Sequence, residues 1–274
     1  MTSQNLIDAG HFLPGGLRLA EGIKGINETY LGWIEIAGER IRAYVKFLTP
    51  WEIFNEVLGS ILCDRVGLPT PKAYLVLTNR SDYPESLIFQ QINTDQILAF
   101  ASEAKPAASL SRQIHLKEWS AIRELVNSWA EWPEVLLFDQ WIANPDRHTG
   151  NILLGAPGEF FLIDHGLCFH RRNWTPSEMI ADISMITVRL WTDFLQQHVS
   201  LAQRLEAKPK MLNASMKQCA VNVVESVALT RVQSFIPASH LVALVQFLQT
   251  RRTGAVHVVC NAMGVPELPL GDST

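Results

Sequence analysis

Four side chains that can act on a phosphate or a metal ion occur close together in the middle of the chain. They are Asp146, His148, Asn151 and Asp164. Pro145 stops the preceding apolar helix pattern and Gly150 permits a tight bend, so the first three are expected on a polar loop. Asp164 ends the next apolar run and is followed by His165 and Gly166, an arrangement that would project its carboxylate into a cleft.

Phosphoryl transfer needs this combination of groups. One carboxylate must lie near the acceptor hydroxyl, and a second carboxylate with an amide oxygen can hold Mg²⁺ on the phosphates. We assign the first role to Asp146 and the second to Asp164 and Asn151. His148 is included as a catalytic candidate, although bracing the loop by hydrogen bonds is the role that we favour for it. Such oxygen ligands also suit Mn²⁺.

A lysine that binds the phosphates is expected upstream, and the chain offers Lys46 with Glu56. Lys46 stands between Val45 and Phe47 in a strand pattern, where a charged side chain is costly unless it is paired. Glu56 follows ten residues later in the next helix pattern. A strand lysine paired with a glutamate of the following helix is the arrangement found in kinases.

Two further segments are candidates for nucleotide contacts. Gly22 and Gly25 lie in a connection between strands and would form the phosphate loop, although glycines at such positions are more often turn residues. Gln90, Gln91 and Ile92 stand where an adenine-binding hinge is expected, and only their placement supports that role.

The elements that must position these residues follow from the periodicity of apolar side chains. Alternation predicts strands at 29–36 and 41–47, and spacings of four predict a helix over 51–66. Shorter strands are predicted at 73–77 and 87–91. Beyond residue 92 the predicted elements are helices at 116–129, 134–143, 176–206, 210–235 and 239–259, and a hairpin of strands 152–154 and 160–163.

These elements predict an α+β fold with two lobes. Residues 1–92 would form a small β-rich N-lobe, an antiparallel sheet plus one helix, and residues 93–274 a larger helical C-lobe. Within the C-lobe, the catalytic loop would span 144–151 and the metal-binding hairpin 152–166.

The chain resembles the HipA-like kinase family, within the wider superfamily of protein kinases and phosphoinositide-kinase-like enzymes. The matching motifs are Asn144-x-Asp146-Arg147-His148-x-Gly150-Asn151, Ile163-Asp164-His165-Gly166, and Tyr44-Val45-Lys46-Phe47 with Asn55-Glu56. The resemblance covers about residues 15–170 and implies a bilobed protein-kinase-like fold that uses ATP and magnesium. It also implies Asp146 as catalytic base and Lys46 as the phosphate clamp. Asn151 and Asp164 would then be the metal ligands.

The function predicted in this way is ATP- and Mg²⁺-dependent transfer of the γ-phosphoryl group to a hydroxyl. Kinship with HipA-like kinases favours Ser or Thr of a protein substrate. A lipid or small-molecule acceptor stays open, although no basic patch or basic amphipathic helix favours an anionic lipid. An antitoxin-like partner is possible in such a family and cannot be read from this chain.

Two other classes of function remain as alternatives. A metal-dependent phosphohydrolase could use Asp146, His148, Asp164 and His165 as ligands for two metals, but Lys46 and Glu56 would then have no role. An inactive nucleotide-binding scaffold is the second, and the intact polar positions count against it.

Composition excludes several broad classes. The 274 residues carry 23 basic and 27 acidic side chains, a net charge of −4, so no basic surface for nucleic acid is expected. Apolar residues make up 47% of the chain, which argues against intrinsic disorder. The four cysteines form no CxxC motif, and neither a signal-peptide pattern nor an apolar run of membrane-spanning length occurs. We therefore expect a cytoplasmic protein.

Overall fold

The computed structural model describes residues 7–19, 27–91, 93–116, 119–156, 158–179 and 186–265. Helices and strands both contribute, as an α+β fold requires. The strands of the N-terminal part are β1 (Asp8–Phe12), β2 (Leu17–Arg18), β3 (Glu28–Ile36), β4 (Glu39–Phe47), β5 (Ala73–Asn79) and β6 (Gln96–Glu103).

These strands form a sheet that closes on itself. Their order is β1-β5-β6-β4-β3-β2, and β1 pairs with β3 as well as with β5, so five strands make a barrel. The β1–β5 pairing is parallel and the others are antiparallel. Aromatic rings fill the interior: Phe12 stacks on Tyr83 with centroids 4.7 Å apart, and Phe47 lies 4.9 Å from Tyr30. The barrel therefore has its own apolar core.

Two predictions for this region are wrong. The segment predicted as a strand at 87–91 is a short helix, α2 (Leu87–Gln91), whose Phe89 packs into the barrel 6.0 Å from Phe47. The expected change to helical structure after residue 92 does not occur, because β6 pairs with both β4 and β5. The small side chains of Ala99 and Ala101 lower the strand propensity of β6, yet they fit the crowded interior.

The helix predicted over 51–66 is α1 (Pro50–Arg65). Thr49 and Glu52 form a capping box, and Pro50 occupies the first turn, where a missing N–H is harmless. The apolar residues of α1 join the large hydrophobic core of the C-terminal part rather than that of the barrel. Asn55 and Glu56 are buried beside them, so α1 carries polar groups into a protein interior.

The remaining elements are mainly helical. They are β7 (Ala108–Ser109), α3 (Leu110–His115), α4 (Trp119–Ser128), α5 (Trp132–Trp141), β8 (Ile152–Leu154), β9 (Phe160–Leu162), α6 (Gln196–His198), α7 (Leu201–Ala220), α8 (Val223–Ala228) and α9 (Ala238–Ala262). The predicted hairpin is β8–β9, and β7 adds a third strand to it. The predicted break between residues 206 and 210 is wrong, because α7 continues through Pro209. Leu205 and Pro209 are both exposed, so water can satisfy the carbonyl that the proline leaves unbonded.

None of the helices within the described ranges is both long and apolar enough to cross a membrane.

Candidate active site

The loop predicted to be catalytic is built around a buried carboxylate on α5. Asp139 is inaccessible to solvent and accepts hydrogen bonds from Asn144 Nδ2 at 3.0 Å and from Arg147 Nε at 3.0 Å. The backbone N–H of Asn144 donates to the Asp139 carbonyl at 2.9 Å. Ala143 has a φ of 49°, so the chain leaves α5 through a left-handed residue. These bonds fix the start of the loop to the helix.

Arg147 joins this loop to the segment that follows β9 and carries Asp164. The guanidinium is fully buried, and its Nη1 donates to the carbonyls of Asn151 and Ile163. Its Nη2 lies 3.2 Å from His165 Nδ1, which accepts because a guanidinium can only donate. The Arg147 side chain therefore fixes the position of the loop relative to that of the segment that carries Asp164.

Asp146 and Asn151 are oriented by the loop itself. Asn144 Oδ1 accepts from the backbone N–H of Asp146 at 3.1 Å, and Asn151 Nδ2 donates to the Asp146 carbonyl at 3.1 Å. No group of the described chain donates to Asn151 Oδ1. The Asp146 side chain keeps 28% of its surface exposed, so its carboxylate is accessible from solvent.

The structure brings Lys46, Glu56 and Asp164 together. Lys46 Nζ lies 2.6 Å from Glu56 Oε1 and 3.2 Å from Asp164 Oδ1. Burial disfavours the ammonium, but Asp164 and Glu56 outweigh burial and raise the pKa of Lys46 above its ordinary value. The Lys46 charge in turn lowers the pKa of Asp164 against the effect of burial. For Glu56 burial is the larger effect and raises the pKa, although Lys46 opposes it. Lys46 and Asp164 are thus both charged at neutral pH.

Asn55 and Glu56 of α1 form hydrogen bonds with the segment that follows Asp164. Glu56 Oε2 accepts from the backbone N–H of His165 at 2.8 Å. Asn55 Nδ2 is within 3.0 to 3.3 Å of three carbonyls, and its Oδ1 accepts from the Trp174 indole at 3.1 Å. The three carbonyls belong to Gly166, Arg171 and Arg172. The position of α1 and that of the segment predicted to bind metal are therefore coupled.

Asp164 itself has a left-handed backbone, with a φ of 62°. A non-glycine residue rarely adopts this conformation, which costs free energy unless surrounding contacts enforce it. The contacts of Glu56 with His165, and of Arg147 with Ile163, lie directly on either side. They hold the Asp164 carboxylate beside Lys46.

Neither histidine of the site is arranged as a metal ligand with its Nδ1 atom. His148 Nδ1 accepts from the backbone N–H of Gly150 at 2.9 Å, and burial lowers the pKa of the ring. His165 is buried, and burial together with the charge of Arg147 holds its pKa well below the ordinary value. The hydrogen bond from Gly150 to His148 Nδ1 braces the loop, which is one of the two roles that the sequence suggests for His148. It leaves the Nε2 atom of His148 available for catalysis.

The donor set fits magnesium. Mg²⁺ is usually bound by one or two protein oxygen ligands together with substrate phosphates and water, and it needs no cage made only of protein. Within the described ranges, no three His, Cys, Asp or Glu side chains converge to form such a cage. The undonated Oδ1 of Asn151 and the partly exposed carboxylate of Asp164 are oxygen ligands of the suitable kind.

The residues predicted for the phosphate loop and the hinge lie only partly within the described ranges. Gly22, Gly25 and Ile92 lie outside the described residues. Gln90 and Gln91 are exposed on α2, and no hydrogen bond described for the chain joins them to Lys46 or Asp164. The predicted role of Gln90 and Gln91 in an adenine-binding hinge gains no support from this placement.

Residues 104–107 connect strand β6 of the barrel to β7. There Lys105 Nζ lies 3.0 Å from Glu103 and 5.6 Å from the ring centroid of Phe161. Sequence reasoning missed this segment because the preceding strand β6 was not predicted.

Comparison with known proteins identifies the family of the chain. A sequence model described as HipA-like kinase matches residues 44–233, which include Lys46, α1 and both loops. The chain belongs to the HipA-like kinase family. Among curated proteins, none matches it. The crystal structure of a Helicobacter pylori proinflammatory kinase, CtkA, is similar in fold, with a TM-score of 0.55 and 14% sequence identity. The alignment covers 93% of this HipA-like kinase and 98% of the other chain.

Proposed function

We propose that this HipA-like kinase transfers the γ-phosphoryl group of ATP to a hydroxyl, with Mg²⁺ bound to the phosphates. The observation that carries the proposal is the contact of Lys46 with both Glu56 and Asp164, next to the loop of Asp146 and Asn151. Lys46 would bind the phosphates, and Asn151 and Asp164 would hold the metal. Bound there, Mg²⁺ would neutralise charge that develops on the phosphate oxygens.

We further propose that the nucleotide lies between the barrel with α1 on one side and the β8–β9 hairpin on the other. This division corresponds to a kinase-like N-lobe and C-lobe, with the boundary after β6 instead of near residue 92. The adenine would lie against residues 103–107, which include Lys105, and not against Gln90 and Gln91. Lys46 is part of β4 and Asp164 follows β9, so their 3.2 Å contact joins the two sides.

The reaction would use Asp146 as the base. An acceptor hydroxyl would donate its proton to the carboxylate as its oxygen bonds to the γ-phosphorus, and the bond from that phosphorus to the β–γ bridging oxygen would break. ADP would leave with that oxygen. The hydrogen bond from the Asp146 backbone to Asn144 supports the position of this residue. Kinship favours Ser or Thr of a protein as the acceptor.

One experiment separates the assigned roles. Calorimetry gives the affinity for ATP with Mg²⁺, and label transfer from γ-labelled ATP to a mixed Ser/Thr peptide library gives the rate. Lys46→Met should weaken ATP binding, because a paired, buried cation is removed from the phosphate site. Its control is Lys72→Met, since Lys72 is an exposed barrel lysine paired with Asp8 at 2.8 Å.

Asp146→Asn should keep the ATP affinity and lower transfer by about 10²–10⁴-fold, the usual scale for loss of a general base. Transfer at the wild-type rate by Asp146→Asn would show that this residue is not the base. Folded wild-type protein that fails to bind ATP at millimolar concentration would contradict a kinase altogether.

A further inference from the structure

The cationic side chain of Arg189 lies next to the candidate base Asp146. It belongs to a part of the chain that carries none of the motifs quoted above. Arg189 Nη1 is 3.0 Å from Asp146 Oδ1, and Arg189 Nε is 3.2 Å from Asp193 Oδ2. The guanidinium is thus held between two carboxylates, one on the catalytic loop and one four residues further along the helical segment 189–198. Half of the Arg189 side chain is exposed, so this contact borders solvent.

The backbone around Arg189 is attached to the same loop. The N–H of Leu190 donates to the carbonyl of Arg147, and the N–H of Ile186 donates to Gln140 Oε1 at 3.0 Å. Gln140 and Arg147 belong to α5 and to the catalytic loop, respectively. The segment that carries Arg189 is therefore docked on both sides of Asp146, and the position of the guanidinium does not depend on a long flexible side chain alone.

This geometry constrains the base. A partly exposed carboxylate can rotate about its side-chain bonds, and a general base must lie within hydrogen-bond reach of the proton that it takes. The contact with Arg189 engages Oδ1, while no group of the described chain donates to Oδ2. One oxygen of Asp146 is held and the other remains able to accept the proton of a hydroxyl.

We propose that Arg189, anchored by Asp193, is a positioning residue that orients the Asp146 carboxylate toward the phosphoryl acceptor. The inference rests on the proposed kinase function, because it presumes that Asp146 is the base. An isolated exposed ion pair contributes little to stability. The consequence is therefore expected in the rate of transfer and not in the stability of the fold.

The test uses γ-labelled ATP and the mixed Ser/Thr peptide library with the full chain. Arg189→Met should lower the transfer rate by about 10²-fold, the effect of misplacing a reacting group by roughly 1 Å. The ATP affinity and the Tm should stay at the wild-type values. Arg189→Lys should restore part of the rate, because an ammonium keeps one contact with Asp146 but lacks the fork that spans both carboxylates. Asp193→Asn should have a smaller effect than Arg189→Met.

A double-mutant cycle and a matched control make the outcome decisive. If Arg189 acts through Asp146, Arg189→Met should cause no further loss in the Asp146→Asn background. Arg65→Met removes a different exposed pair, Arg65–Glu225 at 3.4 Å, and should not change the rate. Wild-type transfer by Arg189→Met, or an undiminished loss in the Asp146→Asn background, would overturn the inference while the kinase function stands. Wild-type protein without Asp146-dependent transfer would overturn both.

Discussion

Asp139 and Arg147 form an ion pair that has no access to solvent, whereas Arg65 and Glu225 form one that is largely exposed. Taking a charge out of water is costly, and a buried pair repays this only when its hydrogen bonds are complete. The Asp139 carboxylate has donors from Arg147 and Asn144, so its charge is compensated. The same contacts hold the loop that is proposed to be catalytic, so the stability of the protein and its proposed chemistry depend on the same residues.

Asp139→Asn should therefore destabilise the protein by about 3–5 kcal/mol, because it leaves the Arg147 guanidinium buried without its counter-ion. Denaturant unfolding followed by circular dichroism measures this difference. Glu225→Gln is the matched control, since loss of an exposed pair is worth about 0–1 kcal/mol. Equal effects of the two substitutions would contradict the structural role assigned to the buried pair.

At the same scale, sequence patterns identified the residues that lie in short motifs. Lys46 was predicted from its apolar neighbours and Glu56 from its distance along the next helix, and the two are in contact. Arg189 follows Asp146 by 43 residues, and no spacing rule connects the two. Contacts between distant segments depend on tertiary packing, which a single sequence does not display.

At the scale of elements, α1 is held against the segment after Asp164 by close packing as well as by hydrogen bonds. A Cβ atom on Gly59 would overlap the Cβ of His165, so only glycine allows the helix to approach this closely. One turn earlier, Asn55 and Glu56 make the polar contacts of the same interface. The distance between α1 and this segment determines whether Lys46 can contact both carboxylates.

Gly59→Ala should lower stability and weaken binding of ATP with Mg²⁺. In a helix interior, alanine is favoured over glycine by about 1 kcal/mol, but overpacking costs about 1–3 kcal/mol, so the clash with His165 outweighs the gain. Thermal unfolding and calorimetry measure the two effects. Gly166→Ala is the matched control, because a Cβ there would meet Glu56 at an ordinary 3.6 Å. A stabilised Gly59→Ala variant with normal ATP affinity would contradict this interpretation.

The strands with strong periodicity, β3 and β4, were predicted correctly, and the strands with weak propensity, β1 and β6, were not. The hairpin of β3 and β4 has nine residues in each strand and alternates clearly between buried and more exposed positions. By contrast, β1 reads Asp-Ala-Gly-His-Phe, which contains mostly residues that are uncommon in strands. The β1 segment is a strand because it pairs with β3 and β5 where the barrel closes. This closure is a property of the whole sheet and does not show in the local sequence of β1.

At the scale of the whole molecule, β1 is the strand that turns an open sheet into a barrel. It pairs with β5 on one side and with β3 on the other, so both neighbours lose a free edge. Gly10 lies where the strands approach most closely, and a Cβ atom there would overlap the carbonyl oxygen of Glu35. Closure therefore requires glycine at this position.

Gly10→Ala should destabilise the protein by about 1–3 kcal/mol, as overpacking does, because the clash is with backbone that cannot rotate away. Ala9→Ser, at the exposed neighbouring position, should change stability by less than about 0.5 kcal/mol. Below the unfolding transition, the ATP affinity of both variants should equal that of wild type, since Gly10 is remote in sequence and contact from Lys46. Unchanged stability of Gly10→Ala would mean that the closed barrel is not the solution structure.

The hydrogen bonds between α1 and the segment after Asp164 join residues that are far apart in the chain. Asn55 and Gly166 are separated by 111 positions, and Glu56 and His165 by 109. Contacts that close such long loops are costly in chain entropy and tend to form after local pairings such as the β3–β4 hairpin. During synthesis, Lys46 and Glu56 leave the ribosome long before Asp164 exists. A nascent chain would thus acquire its barrel first, and an incomplete kinase would remain inactive until the segment that follows Asp164 has been synthesised and has docked on α1.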